Sequence, residues 1–181
     1  TEVNDLNTAR RILKSIGADN TSAIAFGGYE TIANAETWNG SNWTEVNDLN
    51  TGRGFIAGAG STTAGLAIGG GPPYRNQTET WNGTNWTEVN NLNSARYLAS
   101  GGAGSQTSAI VAGGGSPATN KTETWNGTNW TETTDLNTAR NHLATFGGYS
   151  SNTSVLVAAG ENDSGTKQTL TEEWNGTNWT E

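Results

Sequence analysis

The sequence predicts an all-β fold, a β-propeller of four four-stranded blades. Three observations carry this reading. One unit recurs four times along the 181 residues. Trp38, Trp81, Trp125 and Trp174 are spaced by 43, 44 and 49 residues, and Trp43, Trp86, Trp130 and Trp179 follow at the same offsets. Arg10, Arg53, Arg96 and Arg140 repeat with them, as do Leu6, Leu49, Leu92 and Leu136. Each unit reads as four short strands divided by turn residues. No stretch shows helix-length apolar periodicity. Four-stranded units of roughly 40–50 residues are the signature of propeller blades. One such sheet cannot bury both of its faces, and radial stacking of blades does so.

The first unit justifies each strand in order. Residues 11–17 read as strand A, and Ala18-Asp19-Asn20-Thr21 supplies turn residues. Ser22–Phe26 reads as strand B, closed by Gly27-Gly28. Its alternation puts Ile24 and Phe26 on one face and Ala23 and Ala25 on the other. Both faces are apolar, so this strand is expected to be buried on both sides. Glu36-Thr37-Trp38 is strand C and Asn42–Val46 is strand D. Asn39-Gly40 between them signals a two-residue hairpin turn with positive φ at both residues. That turn makes Trp38 and Trp43 diagonal neighbours on one face. Strand A of later units is rich in Gly and Ala (Gly58-Ala59-Gly60, Gly101-Gly102-Ala103), which suits the crowded inner end of a blade.

The chain reads as a single domain, 1–181, with repeats at approximately 1–43, 44–86, 87–130 and 131–181. The fourth unit is longer, and its extra residues fall in the polar stretch Glu161–Lys167. The first residues, Thr1-Glu2-Val3, would complete the strand that Trp179-Thr180-Glu181 begins. A closed four-blade ring fits this, as do two chains sharing a larger ring and a fragment of a longer array. The absence of an initial Met is read as processing or excision.

Composition bounds the chemistry. The chain has 9 Lys and Arg against 17 Asp and Glu, a net charge of −8. That balance argues against nucleic acid, whose phosphates need clustered cations. There is no Cys, so a disulfide, a thiolate metal site and a cysteine nucleophile are all excluded. The single His, His142, rules out a multi-histidine metal centre within one chain. No apolar stretch approaches the roughly 18 residues of a membrane span, and no signal-peptide pattern opens the sequence. No cofactor is expected.

A glycine pair closing strand B, then an aromatic, then Trp, then an Arg opening the next unit resembles the kelch repeat. The pattern stands at Gly27-Gly28, Trp43 and Arg53, at Gly69-Gly70, Trp86 and Arg96, and at Gly113-Gly114, Trp130 and Arg140. The fourth unit departs, with Ala159-Gly160 in place of the pair. The Trp-Asn-Gly-Thr-Asn-Trp form is similar to kelch-like repeats in long proteins of tailed phages and aquatic bacteria. The resemblance implies a propeller, and packing roles for the Trp and Arg.

Each candidate group has a structural and a functional reading. The eight Trp, as sugar-stacking platforms, would bind pyranose rings; packing between blades is the preferred reading. The four Arg, as an axial anion site, would need to be unpaired. The preferred reading pairs them within the fold, with Asp5, Asp48 and Asp135, five residues before three of them, as partners. His142 reads as a packed residue of the fourth strand A. Asn162-Asp163-Ser164-Gly165 faintly resembles a calcium loop but lacks spaced carboxylates. Loops after strand B cluster at one end of the ring, so Tyr29, Tyr74, Tyr149, Asn162 and Asp163 are the candidate ligand-binding residues. No nucleophile elbow, sialidase Asp-box or phosphate loop occurs. The sequence therefore predicts a non-catalytic structural, adhesion or protein-interaction module, extracellular or virion-associated, of a phage or bacterial surface assembly. The alternative is a lectin that uses loop Tyr, Asn and Asp. The partner is a protein or a glycan.

Overall fold

The computed structural model describes residues 2–97, 102–148 and 151–181. Among them, sixteen strands form four antiparallel sheets, each with its strands in sequence order. Blade 1 holds β1 (Lys14–Asp19), β2 (Ser22–Gly28), β3 (Ile32–Trp38) and β4 (Trp43–Val46). Blade 2 holds β5 (Ala57–Gly60), β6 (Gly65–Gly70), β7 (Arg75–Trp81) and β8 (Trp86–Val89). Blade 3 holds β9 (Ala103–Ser105), β10 (Ser108–Ala112), β11 (Thr122–Trp125) and β12 (Trp130–Glu132). Blade 4 holds β13 (Ala144–Gly147), β14 (Val155–Ala158), β15 (Thr171–Trp174) and β16 (Trp179–Thr180). The fold is a propeller of four blades.

Two local expectations change. Strand A begins at Lys14 rather than residue 11, because Ile12 sits at φ 57, a left-handed conformation that breaks an extended run. Phe55 (φ 51) and His142 (φ 52) repeat that turn two residues after Arg53 and Arg140. The hairpin between strands C and D has four loop residues, not two. Only Gly40 has positive φ there. The Asn39 side-chain oxygen instead accepts the backbone N–H groups of Ser41 and Asn42, both at 2.9 Å. Trp38 and Trp43 are therefore directly opposite, not diagonal. Their rings lie 5.4 Å apart, and the pairs in the other blades repeat this at 5.2–5.3 Å.

Strict alternation decides how blades stack. In blade 2, Ala67, Trp81 and Trp86 face blade 1 and pack on Ile16, Ile24 and Phe26. Leu66 and Ile68 face the other way, onto Trp125 and Trp130 of blade 3. Ile110 and Ala112 of blade 3 meet Val155, Val157, Trp174 and Trp179 of blade 4. Six of the eight Trp are thus buried core residues, which supports packing over sugar stacking. Trp38 and Trp43 of blade 1 are the partly exposed pair. Among the described residues no fourth cluster joins blade 4 to blade 1. The small residues of strand A let the inner strands converge. A Cβ on Gly102 would stand 2.9 Å from the Gly58 carbonyl oxygen.

The segment between blades fastens each one to the next. Asp48 and Leu49 bond back to blade 1, through the Ala35 N–H (3.2 Å) and the Ala33 carbonyl (3.0 Å). Asn50 and Arg53 bond forward to Glu79 of blade 2. The Arg partners are therefore glutamates of strand C, not the aspartates at offset five. Arg10 meets Glu36 at 2.6 Å, Arg53 meets Glu79 at 2.5 Å, and Arg140 meets Glu172 at 2.8 Å. Arg96 pairs with Glu123. In every blade an Asn (Asn7, Asn50, Asn93, Asn137) donates its backbone and side-chain N–H to the second carboxylate oxygen. Asp48 and Asp135 instead accept backbone N–H groups. All four Arg side chains are at most 2% exposed, so none lines an axial anion site.

The indoles of strand D complete two of the interfaces. Trp130 donates to the Thr78 hydroxyl and Trp179 to the Thr122 hydroxyl, each at 3.0 Å. Trp86 has no acceptor among the described residues, because Ala35 stands at the position of those threonines.

Candidate functional site

The candidate surface is one end of the propeller. It is built from the loops between strands B and C and the segments that lead into strand A. Sheet order puts these two sets of loops together, opposite the tight A–B and C–D turns.

Aromatic side chains form a ladder across this end. Arg11 lies over the Tyr29 ring at 4.6 Å. Tyr29 meets Phe55 edge-on at 6.0 Å, and Phe55 meets Tyr97 edge-on at 5.2 Å. Tyr97 stacks at a tilt with Tyr74 at 4.5 Å. Four backbone origins supply these rings. Tyr29 follows the Gly27-Gly28 bulge in a short 3-10 turn. Phe55 is turned outward by its left-handed backbone. Tyr97 follows the buried Arg96, and Tyr74 stands in the loop after Pro72-Pro73. The Tyr97 hydroxyl bonds to Tyr74, which raises its pKa above that of an ordinary phenol, with burial and the neighbouring phenol adding to the rise.

The ladder is continuous with blades 3 and 4. The Tyr74 hydroxyl donates to the Ser116 carbonyl at 2.5 Å. Two residues on, the Ala118 N–H donates to the Asp163 carboxylate at 2.5 Å. The loop Ser116–Ala118 therefore joins two candidates that lie far apart in sequence. Asn162 serves its own loop: its side-chain oxygen accepts from Ser164 and from the Thr166 N–H.

Beyond Asp163 lies a charged edge. Glu161 binds both Lys167 and His142, whose Nδ1 is 2.9 Å from Oε1. Lys167 is the main cause of a lowered Glu161 pKa; slight burial opposes it, and His142 adds to the lowering. His142 is half exposed in this loop end, not packed in a strand, because its left-handed backbone precedes β13. His142, Gly160, Glu161, Lys167 and Gln168 line an open groove.

Of the five candidates, Tyr29, Tyr74, Asn162 and Asp163 share this end. Tyr149 lies outside the described residues. Phe55, Tyr97, Arg11 and His142 were not selected from sequence. Phe55 and His142 carried a signal, since both stand two residues after a repeat Arg. A second concavity, of about 130 Å³, lies between the inner strands, with Lys14, Ser15 and Thr145 on its wall. Burial lowers the Lys14 pKa there.

No family model matches the chain, and no curated protein matches it. Among solved structures, that of YjhT matches with a TM-score of 0.78 over 98% of this chain, at 10% identity. The chain spans 66% of the length of that one. At this identity the likeness is one of fold, and it supports the propeller.

Proposed function

We propose that the chain is a non-catalytic interaction module that binds a protein partner through the loop end bearing Tyr29, Phe55, Tyr97 and Tyr74. The observation that carries this is the aromatic ladder, capped by Arg11 and continued by the His142–Glu161–Lys167 edge. Aromatic and Arg side chains are the groups that anchor protein interfaces. The four rings come from unlike repeat positions. A repeated sugar site would instead place like residues in every blade. The kelch-like resemblance, with its phage and bacterial setting, fits a surface or virion assembly, where weak contacts gain from avidity.

A lectin is the second reading, favoured by the 43% exposure of Tyr74 beside the polar Asn162–Thr166 loop. One experiment separates the two. A displayed peptide library is panned on the chain and on its Tyr29→Ala/Tyr74→Ala variant, and both are applied to a glycan array. The expected result is enriched peptides whose affinity falls about 30-fold or more on the variant, as loss of a hot-spot aromatic requires. Saturable binding to one sugar class, lost on the variant, establishes the lectin instead. Peptides that bind both proteins equally contradict the assigned surface.

A further inference from the structure

We propose that a second copy of this chain docks on blade 4, presenting its blade 1 as the next blade of the series. The contact is written three times inside the chain, and each half of a fourth is uncovered.

The far face of each blade has equivalent positions. Ile24, Leu66 and Ile110 pair across the sheet with the same strand-C position, and all are at most 1% exposed. Leu156 is their counterpart in blade 4 and is 37% exposed. Phe146, opposite it on β13, is 59% exposed. Ala35, Thr78 and Thr122 are fully buried, while their counterpart Thr171 is exposed. Among the described residues this uncovered face belongs to blade 4 alone.

Blade 1 carries the other half. Its Trp38 and Trp43 are partly exposed, whereas Trp81, Trp86, Trp125, Trp130, Trp174 and Trp179 are buried. The segment before it makes the forward bonds of its kind, with Asn7 and Arg10 on Glu36. Its backward-facing residues remain exposed or partly so. Asp48 and Asp135 accept the N–H of Ala35 and Thr122, and Asn91 accepts that of Thr78. Asp5, their counterpart, is exposed. Leu49, Leu92 and Leu136 are buried, and Leu6 is only partly so.

The two halves match group by group. By repeat equivalence, Trp38 and Trp43 of one copy cover Phe146 and Leu156 of the other. The Trp43 indole reaches the Thr171 hydroxyl, as Trp130 reaches Thr78 and Trp179 reaches Thr122. The Asp5 carboxylate accepts the Thr171 N–H, and Leu6 enters the core beside it. Such a contact is heterologous, so it closes into a ring of two copies or runs on as a filament.

The full chain is tested by sedimentation velocity over a range of concentrations. The expected result is mass that grows with concentration, with the association constant reduced about 30-fold or more by Phe146→Glu. That side chain is already mostly exposed, so the variant keeps the circular dichroism of the parent. A mass of one chain throughout, or association unchanged by Phe146→Glu, overturns the proposal. A second test uses the absence of native Cys. Asp5→Cys with Thr171→Cys is oxidised and run on a denaturing gel. Disulfides between copies support the contact, as a closed dimer or as a ladder. A disulfide within one chain means that the propeller closes on itself and overturns it, as does no disulfide at all.

Discussion

Replacing Glu79 by alanine is expected to destabilise the chain by about 3–5 kcal/mol, because it leaves the buried Arg53 without its counter-charge. The Arg53 guanidinium is fully buried and is placed by the carbonyls of Gly69, Thr51 and Ala67 as well as by Glu79. Those dipoles hold it in position but do not neutralise it. Burial already lowers its pKa, and Glu79 is the main group opposing that. In the same change Asn50 loses the carboxylate that accepts its backbone and side-chain N–H, and keeps only the Trp86 carbonyl. For a chain of this size each kcal/mol lowers the melting temperature by about 2–4 °C, so the drop is roughly 6–20 °C. The double variant Arg53→Met/Glu79→Leu is expected to recover most of it, since an apolar replacement removes both charges together. A loss under about 1 kcal/mol in Glu79→Ala by denaturant unfolding would contradict this account. The Arg10–Glu36 pair of blade 1 makes the fold acid-sensitive. Burial pushes the Glu36 pKa up, but N–H groups of Asn7 and Thr8 and the Arg10 guanidinium outweigh it and hold it below the ordinary range. Its contribution is full above the ordinary carboxylate pKa near about 4.3 and is lost as pH falls through the lower folded value.

Trp125→Ala is expected to cost about 3–5 kcal/mol, the range for removing a large buried aromatic. Trp125 is 2% exposed and packs on Leu66 and Ile68 of the preceding blade. It also pairs with Trp130, whose indole bonds to Thr78. The same substitution at Trp38 is expected to cost less than half as much in the single chain, because the face of blade 1 that bears it is uncovered. Sequence identity of the two sites makes the comparison a clean one: Glu-Thr-Trp-Asn-Gly surrounds both. Equal losses would mean that Trp38 is buried in solution, either by blade 4 of the same chain or by another copy.

The repeated residues were legible in the sequence because each blade reuses one geometry. Their spacing marked Trp, Arg and the closing glycines as repeat positions, and the resemblance to kelch repeats implied the packing roles of Trp and Arg. The partner of each Arg was not, since Asp48 and Asp135 lie nearer in sequence than Glu79 and Glu172. The clue was present all the same. Each Glu stands two residues before the first Trp of its pair, so alternation puts both on one face. The four-residue hairpin was missed because an Asn side chain substitutes for the second residue of positive φ. The aromatic ladder was only half legible. Tyr29, Phe55, Tyr74 and Tyr97 occupy different repeat positions, and only the folded loop end brings their rings into contact. Whether blades 1 and 4 cover one another was left open by the sequence, because a closed ring, a larger shared ring and a longer array all use the same repeated residues at the blade faces.

Amide hydrogen exchange, followed by mass spectrometry at a concentration where the chain is monomeric, tests the serial blade architecture most directly. The account expects the strongest protection in the B and C strands of blades 2 and 3, which are covered on both faces. Strands β13 and β14 of blade 4 and strand β4 of blade 1 are expected to exchange sooner. Uniform protection across all four blades would contradict it, and would show a closed ring in which blade 4 covers blade 1.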